Sequence, residues 1–147
     1  MKFISRMAMC LLCLSLILSL CGCRLIEYDY SLKQDPVNIT KVEFHRFQYD
    51  INYPKTFPIK ELELDTGLKM LEEIAALPAY KHFGDSTLDY GKIVVYVTYL
   101  DNTGEIIGCW NTAVVNAAGK WSRRGFYFDE GQWNAVIAKY IDLTEEL

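Results

Sequence analysis

The chain has 147 residues, 51% of them hydrophobic, with 15 Lys and Arg against 19 Asp and Glu for a formal charge of −4. That apolar content is enough for a folded core. A net acidic chain argues against nucleic acid as a partner, and against capture by an anionic lipid surface through charge.

Residues 1–22 read as a secretory signal. Lys2 and Arg6 form a basic start, Met7 to Leu20 is an apolar run too short to argue for a spanning helix, and Leu20-Cys21-Gly22-Cys23 closes it. The closing tetrad resembles the lipobox of bacterial lipoproteins, in which an aliphatic residue, a small residue and Gly precede the Cys that is lipidated and becomes the new N-terminus. The resemblance is confined to residues 1–23. It implies lipidation of Cys23, attachment to a bacterial cell membrane and exposure outside the cytoplasm; an ordinary signal peptide or an uncleaved anchor is the other reading. Cys10, Cys13 and Cys21 would leave with the signal, so Cys109 would be the one remaining thiol and no intramolecular disulfide could form. The mature part, 125 residues with a formal charge of −6, suffices for one domain, held to the membrane by acyl chains.

Residues 23–36 are the lipidated Cys and a tether, and residues 37–147 the single small domain. The tether alternates Ile26, Tyr28, Tyr30 and Leu32 with Glu27, Asp29, Ser31 and Lys33, a period of two that predicts an edge strand docked on the domain. Val37 to Tyr49 is rich in β-branched and aromatic residues and predicts a strand. Pro54 and Pro58 punctuate the next stretch, and Ile59 to Leu64 is a short strand or a helix approach. Asp65 is a candidate N-cap for a helix over Thr66 to Leu77, stopped by Pro78, with Leu68, Leu71 and Ala75 along one side. Tyr80 to Gly91 has no period and reads as a loop.

Lys92 to Phe128 predicts a three-stranded meander. Its turns, Asp101-Asn102-Thr103-Gly104 and Asn116-Ala117-Ala118-Gly119, both place Asp or Asn first and Gly fourth, which suits a type I turn followed by a left-handed Gly. Closing pairs Asp101/Glu105 and Asn116/Lys120 then put Tyr96, Trp110 and Phe126 in one row and Val97, Cys109 and Tyr127 in the next, on the opposite face. One face becomes small and aliphatic, with Ile93, Val95, Val97, Ile107, Cys109, Ala113 and Val115, and is where helices are expected. The aromatic row shares the other face with Arg124. Asp129 caps a final helix over Glu130 to Asp142, whose stripe is Trp133, Val136, Ile137, Tyr140 and Ile141. The expected architecture is α+β in the order ββαβββα, an antiparallel sheet with two helices on one face.

No phosphate loop, nucleophile elbow or metal-ligand motif is present in the mature chain, so no cofactor and no metal is expected and the chain reads as a non-enzyme. His45 and His82 would need a carboxylate brought to them by the fold. Asp85 and Asp89 match no calcium loop, and Cys109 reads as a buried, inert thiol. Tyr96, Trp110 and Phe126, with Arg124 to stack or clamp a carboxylate, are the candidate ligand-binding residues, either a platform for a glycan or peptide or a second core layer. The function expected is a membrane-anchored extracytoplasmic lipoprotein, a non-catalytic binding or accessory module for an envelope protein, peptide or glycan. The alternatives are an inhibitor or immunity-type lipoprotein using the Tyr80 to Gly91 loop, and an enzyme whose site assembles only in three dimensions.

Overall fold

The computed structural model describes residues 27–48, 55–81 and 92–143; the signal segment with Cys23, the stretch with Tyr49 and Pro54, and the stretch with His82, Asp85 and Asp89 lie outside the described residues. Strands β1 (Ile39–Gln48), β2 (Lys55–Leu62), β4 (Ile93–Tyr99), β5 (Gly104–Ile107), β6 (Thr112–Val115) and β7 (Trp121–Arg123) form one antiparallel sheet in the order β2-β1-β4-β5-β6-β7. Strands β3 (Ala79–Lys81) and β8 (Phe126–Phe128) pair as a separate ribbon. Helices α1 (Leu64–Ala75) and α2 (Glu130–Ile137) complete an α+β fold. The class is the expected one, but the order is not: the meander resolves into β4 to β8, and β3 is added before it.

The reasons lie in three turns. In the first, Asn102 and not Gly104 takes the left-handed conformation, at φ 59°. Tyr99 N–H donates to Thr103 O at 2.9 Å, so Tyr99 and Thr103 close the turn and Tyr96 sits opposite Ile106, not Trp110. The pairing slips by two residues on each strand, and therefore the side chains of β4 and β5 keep their expected faces. Gly104 is required for a different reason, since a Cβ there would stand 2.8 Å from the Tyr96 hydroxyl. The Asn116 turn forms as expected: Asn116 N–H donates to Lys120 O at 2.7 Å and Gly119 takes φ 76°. Its Asn116 Oδ1 accepts from the backbone of Ala118 and Lys120, at 3.0 and 2.9 Å.

Between them, the segment read as one strand folds back on itself. Gly108 N–H donates to Asn111 O at 2.9 Å, and Ile106 faces Ala113 across a hairpin. An extended strand would have put Ala113 on the face of Ile107; the turn moves it to the face of Ile106. Val115 and Trp121 move with it. At the far end, Gly125 takes φ 74° and β8 leaves the main sheet to pair with β3. The rows Tyr96, Trp110, Phe126 and Val97, Cys109, Tyr127 are consequently not formed.

One face of the sheet carries the main core. Val42, Phe44, Val95, Val97 and Ile107 are fully buried there beneath Met70 and Ile74 of α1 and Trp133 and Ile137 of α2. Each such side chain contributes about 1.5–3 kcal/mol relative to exposure. Both helices pack with this cluster, as expected for the face of Ile93, Val95, Val97, Ile107 and Cys109. A smaller cluster of Phe47, Val94, Ile106 and Ala113, with Tyr96, Val115 and Trp121 against it, occupies the opposite face. Pro58 sits in β2, an outermost strand of the sheet, opposite His45 where the β1–β2 register shifts, the kind of place in a sheet that tolerates proline.

Helix α1 begins at Leu64, two residues before the expected start, so Asp65 lies in its first turn and Glu63 is the N-cap, without a side-chain cap bond. Its buried residues are Gly67, Met70, Leu71 and Ile74, whereas Ala75 is exposed. Helix α2 is capped as expected, with Asp129 Oδ1 accepting from Gln132 N–H at 3.0 Å, but it loosens after Ile137, well short of Asp142. Glu73 ties α1 to the turn that follows α2, accepting from Tyr140 Oη at 2.8 Å and from Lys139 Nζ. The Lys139 ammonium and the Tyr140 hydroxyl hold the Glu73 carboxyl below its usual range, while burial and that carboxylate push the Tyr140 phenol up to about 12.

The tether is part of the fold. Tyr28 makes a single antiparallel bridge to Ala79, Tyr30 is buried in the main core and Leu32 packs against it, so the docking expected of an edge strand is achieved by a strap, residues 27–35. Asp35 accepts from Val37 N–H and opens a short 3-10 turn over Pro36–Asn38 that leads into β1. The expected strand start at Val37 is thus two residues early, and Val37 itself is exposed.

Candidate functional site

The four candidate ligand-binding residues fall in three separate places. Arg124 and Phe126 meet the strap. Glu105, on β5, points to the helix-bearing side and is completely buried. Its Oε1 accepts from Tyr30 Oη at 2.7 Å and from Arg124 Nη1, and its Oε2 from Tyr99 Oη at 2.8 Å and Lys33 N–H at 2.9 Å. Arg124 also donates to Ser31 O at 2.8 Å, and its guanidinium lies 5.4 Å from the Tyr30 ring and 5.3 Å from that of Phe126. Arg124 therefore does clamp a carboxylate, the protein's own. Burial first, and then the Glu105 charge, push the Tyr30 and Tyr99 phenols well above their ordinary range, so both remain donors. Sequence reasoning missed Glu105. The signal that could have found it was its parity with Ile107 and Cys109, which puts a carboxylate on an otherwise aliphatic face.

Tyr96 lies on the opposite face, stacked on His45 with ring centroids 4.8 Å apart. His45 is buried, with Nδ1 2.9 Å from Thr56 Oγ1 and Nε2 3.5 Å from Glu43 Oε2, and Lys41 pairs with both Glu43 and Glu61. The fold thus brings an imidazole to a carboxylate, the condition a histidine site needs. Burial pushes the imidazole down, and Glu43 only partly offsets this. A neutral ring sealed under Tyr96 has the chemistry of a structural bond more than of a base open to substrate.

Trp110 stands in the Gly108 to Asn111 turn, half-buried, with Lys92 Nζ 5.5 Å from its ring centroid. Beside it opens a cleft of about 200 Å³ between the start of β4, this turn and α2. Ile93, Cys109, Trp133 and Ile137 form its apolar walls, and Lys92 and Glu130, paired at 2.8 Å, stand exposed at its rim. The Cys109 thiol is buried and directed to Phe128 O at 3.7 Å, so it acts as wall material. A second, far smaller void of about 10 Å³ lies beside Trp121 and Asn111, whose buried side-chain amide has no protein partner. One water would fill it and satisfy that amide.

Among the described residues, no group of three or more His, Cys, Asp or Glu is placed to hold a metal ion, and no helix is long and apolar enough to cross a membrane. No protein-family model, curated protein or solved structure matches the chain.

Proposed function

We propose that the chain is a membrane-anchored extracytoplasmic lipoprotein whose domain acts as a non-catalytic binding or accessory module. The observation that carries the binding role is the cleft beside Trp110. Apolar walls with a small number of charged groups at the mouth are the usual make-up of a recognition pocket. An apolar side chain or ring of a peptide or other envelope ligand would enter between Ile93 and Trp133, and its charged end would meet Lys92 or Glu130 at the rim. Anchorage is supported by the sequence around Cys23 and by the strap, which folds the segment just after that residue onto the domain.

Two experiments test the reading. Ligand-observed NMR with small apolar carboxylates and amines should detect binding to the wild type and lose it in Asn134→Trp, which blocks the rim from an exposed position. Binding that survives this variant removes the cleft from consideration. For the anchor, the full chain expressed in a bacterium should enter the membrane fraction and incorporate labelled fatty acid, and Cys23→Ser should do neither. Equal labelling of both forms would refute lipidation at Cys23.

A further inference from the structure

We propose that the β3–β8 ribbon is the side of the domain that rests on the lipid interface, with Tyr80 and Tyr127 at headgroup depth. The inference depends on the lipid anchor at Cys23 and goes beyond it by assigning a membrane-facing surface. Five residue steps separate Cys23 from Tyr28, a reach of at most about 18 Å even when fully extended. Tyr28 is fastened to the ribbon, its N–H donating to Ala79 O at 2.7 Å. The strand on which the chain docks five steps after the anchor is therefore β3.

The ribbon has the side chains such a position calls for. Ala79, Phe126 and Phe128 are buried on its inner face, so by strand alternation Tyr80 and Tyr127 point outward. They face each other directly across the pair, half-buried, with centroids 5.3 Å apart. Tyrosine, apolar along its ring and polar at its tip, is the residue type enriched at membrane interfaces. Lys81, at the end of β3, has the parity of Ala79 and turns away from the two tyrosines, its ammonium 5.1 Å from the rings of both Tyr28 and Phe126. Because the mature chain is net acidic, charge does not draw it to the membrane; acyl chains bring it there, and the ribbon sets which way it faces.

The test uses the lipidated full chain in neutral phosphatidylcholine vesicles containing a doxyl-labelled lipid. An environment-sensitive fluorophore is attached at Tyr80→Cys, at Tyr127→Cys or, as a control on the outermost strand β2, at Phe57→Cys, each in a Cys109→Ala background. Two ribbon positions guard against one variant failing to fold. The expected result is quenching by the labelled lipid several-fold stronger at both ribbon positions than at position 57. Protein that floats with the vesicles yet is quenched equally or more at position 57 overturns the orientation and leaves the anchor standing. Protein that does not float overturns the anchor and, with it, the orientation.

Discussion

The Glu105 carboxylate is fully buried, and it gathers donors from the strap, from the adjoining strand and from beyond the sheet's last strand, namely Tyr30, Lys33, Tyr99 and Arg124. Removing its cation should cost more than removing its own charge. In Arg124→Ala a buried carboxylate is left without a counter-ion, a loss of about 3–5 kcal/mol. In Glu105→Gln, Arg124 keeps Ser31 O and its partial exposure to water, and the loss should be nearer about 1–3 kcal/mol. Urea unfolding midpoints of the two variants check the order; if Glu105→Gln is the more damaging, the pair does not work as described. His45 gives a pH prediction. Its folded pKa lies below the ordinary 6.5, so its contribution is complete above that value and is lost as pH falls from there towards the folded pKa, because the unfolded chain takes up the proton first. The wild-type midpoint should drop between about pH 7.5 and about pH 5.5, and His45→Gln should flatten that slope. An unchanged slope would assign the drop to other groups. Neither residue's partners could be read from the sequence: the parity of Glu105 was visible, but Tyr30 and Arg124 reach it only through a strap and a chain reversal that no local pattern encodes.

Among the elements, those with strong periodicity were legible and those set by tertiary contact were not. The apolar stripe of Trp133, Val136 and Ile137, the Asp129 cap and the Asn116 turn each follow from local chemistry, and each formed. The Gly108 to Asn111 turn was hidden because Cys109 and Trp110 continue an apolar run, although Gly and Asn flank them. In the first turn the left-handed residue is Asn102, and Gly104 instead admits the Tyr96 hydroxyl from the neighbouring strand, a contact that no local pattern shows. Gly67 is the clearest case of packing overriding propensity. Alanine favours a helix interior by about 1 kcal/mol over Gly, yet a Cβ at position 67 would stand 2.7 Å from Val42 Cβ on β1. Gly67→Ala should therefore lower the melting temperature, by an amount corresponding to about 1–3 kcal/mol of overpacking, as differential scanning calorimetry would show. A rise would mean that α1 does not ride directly on Val42.

For the molecule as a whole, the strap decides what counts as the domain. Residues 27–35 carry a core tyrosine and close over a buried carboxylate, as a segment docked on the domain that follows. A chain beginning at residue 36 should unfold at markedly lower urea than one beginning at residue 24, and should exchange the amides of β5 faster. Equal midpoints would return the strap to the status of a linker.

That closure also has a temporal side. Tyr30 and Glu105 are separated by 75 positions, and Ser31 and Arg124 by 93. Chain entropy disfavours such distant contacts until most of the intervening structure is in place. A polypeptide made from its N-terminus presents the strap 93 positions before its clasping arginine. A nascent chain halted before Arg124 should therefore hold a socket lacking its cation and be cut by protease within the strap, whereas one extended past α2 should be protected there; equal cleavage of the two would sink the idea.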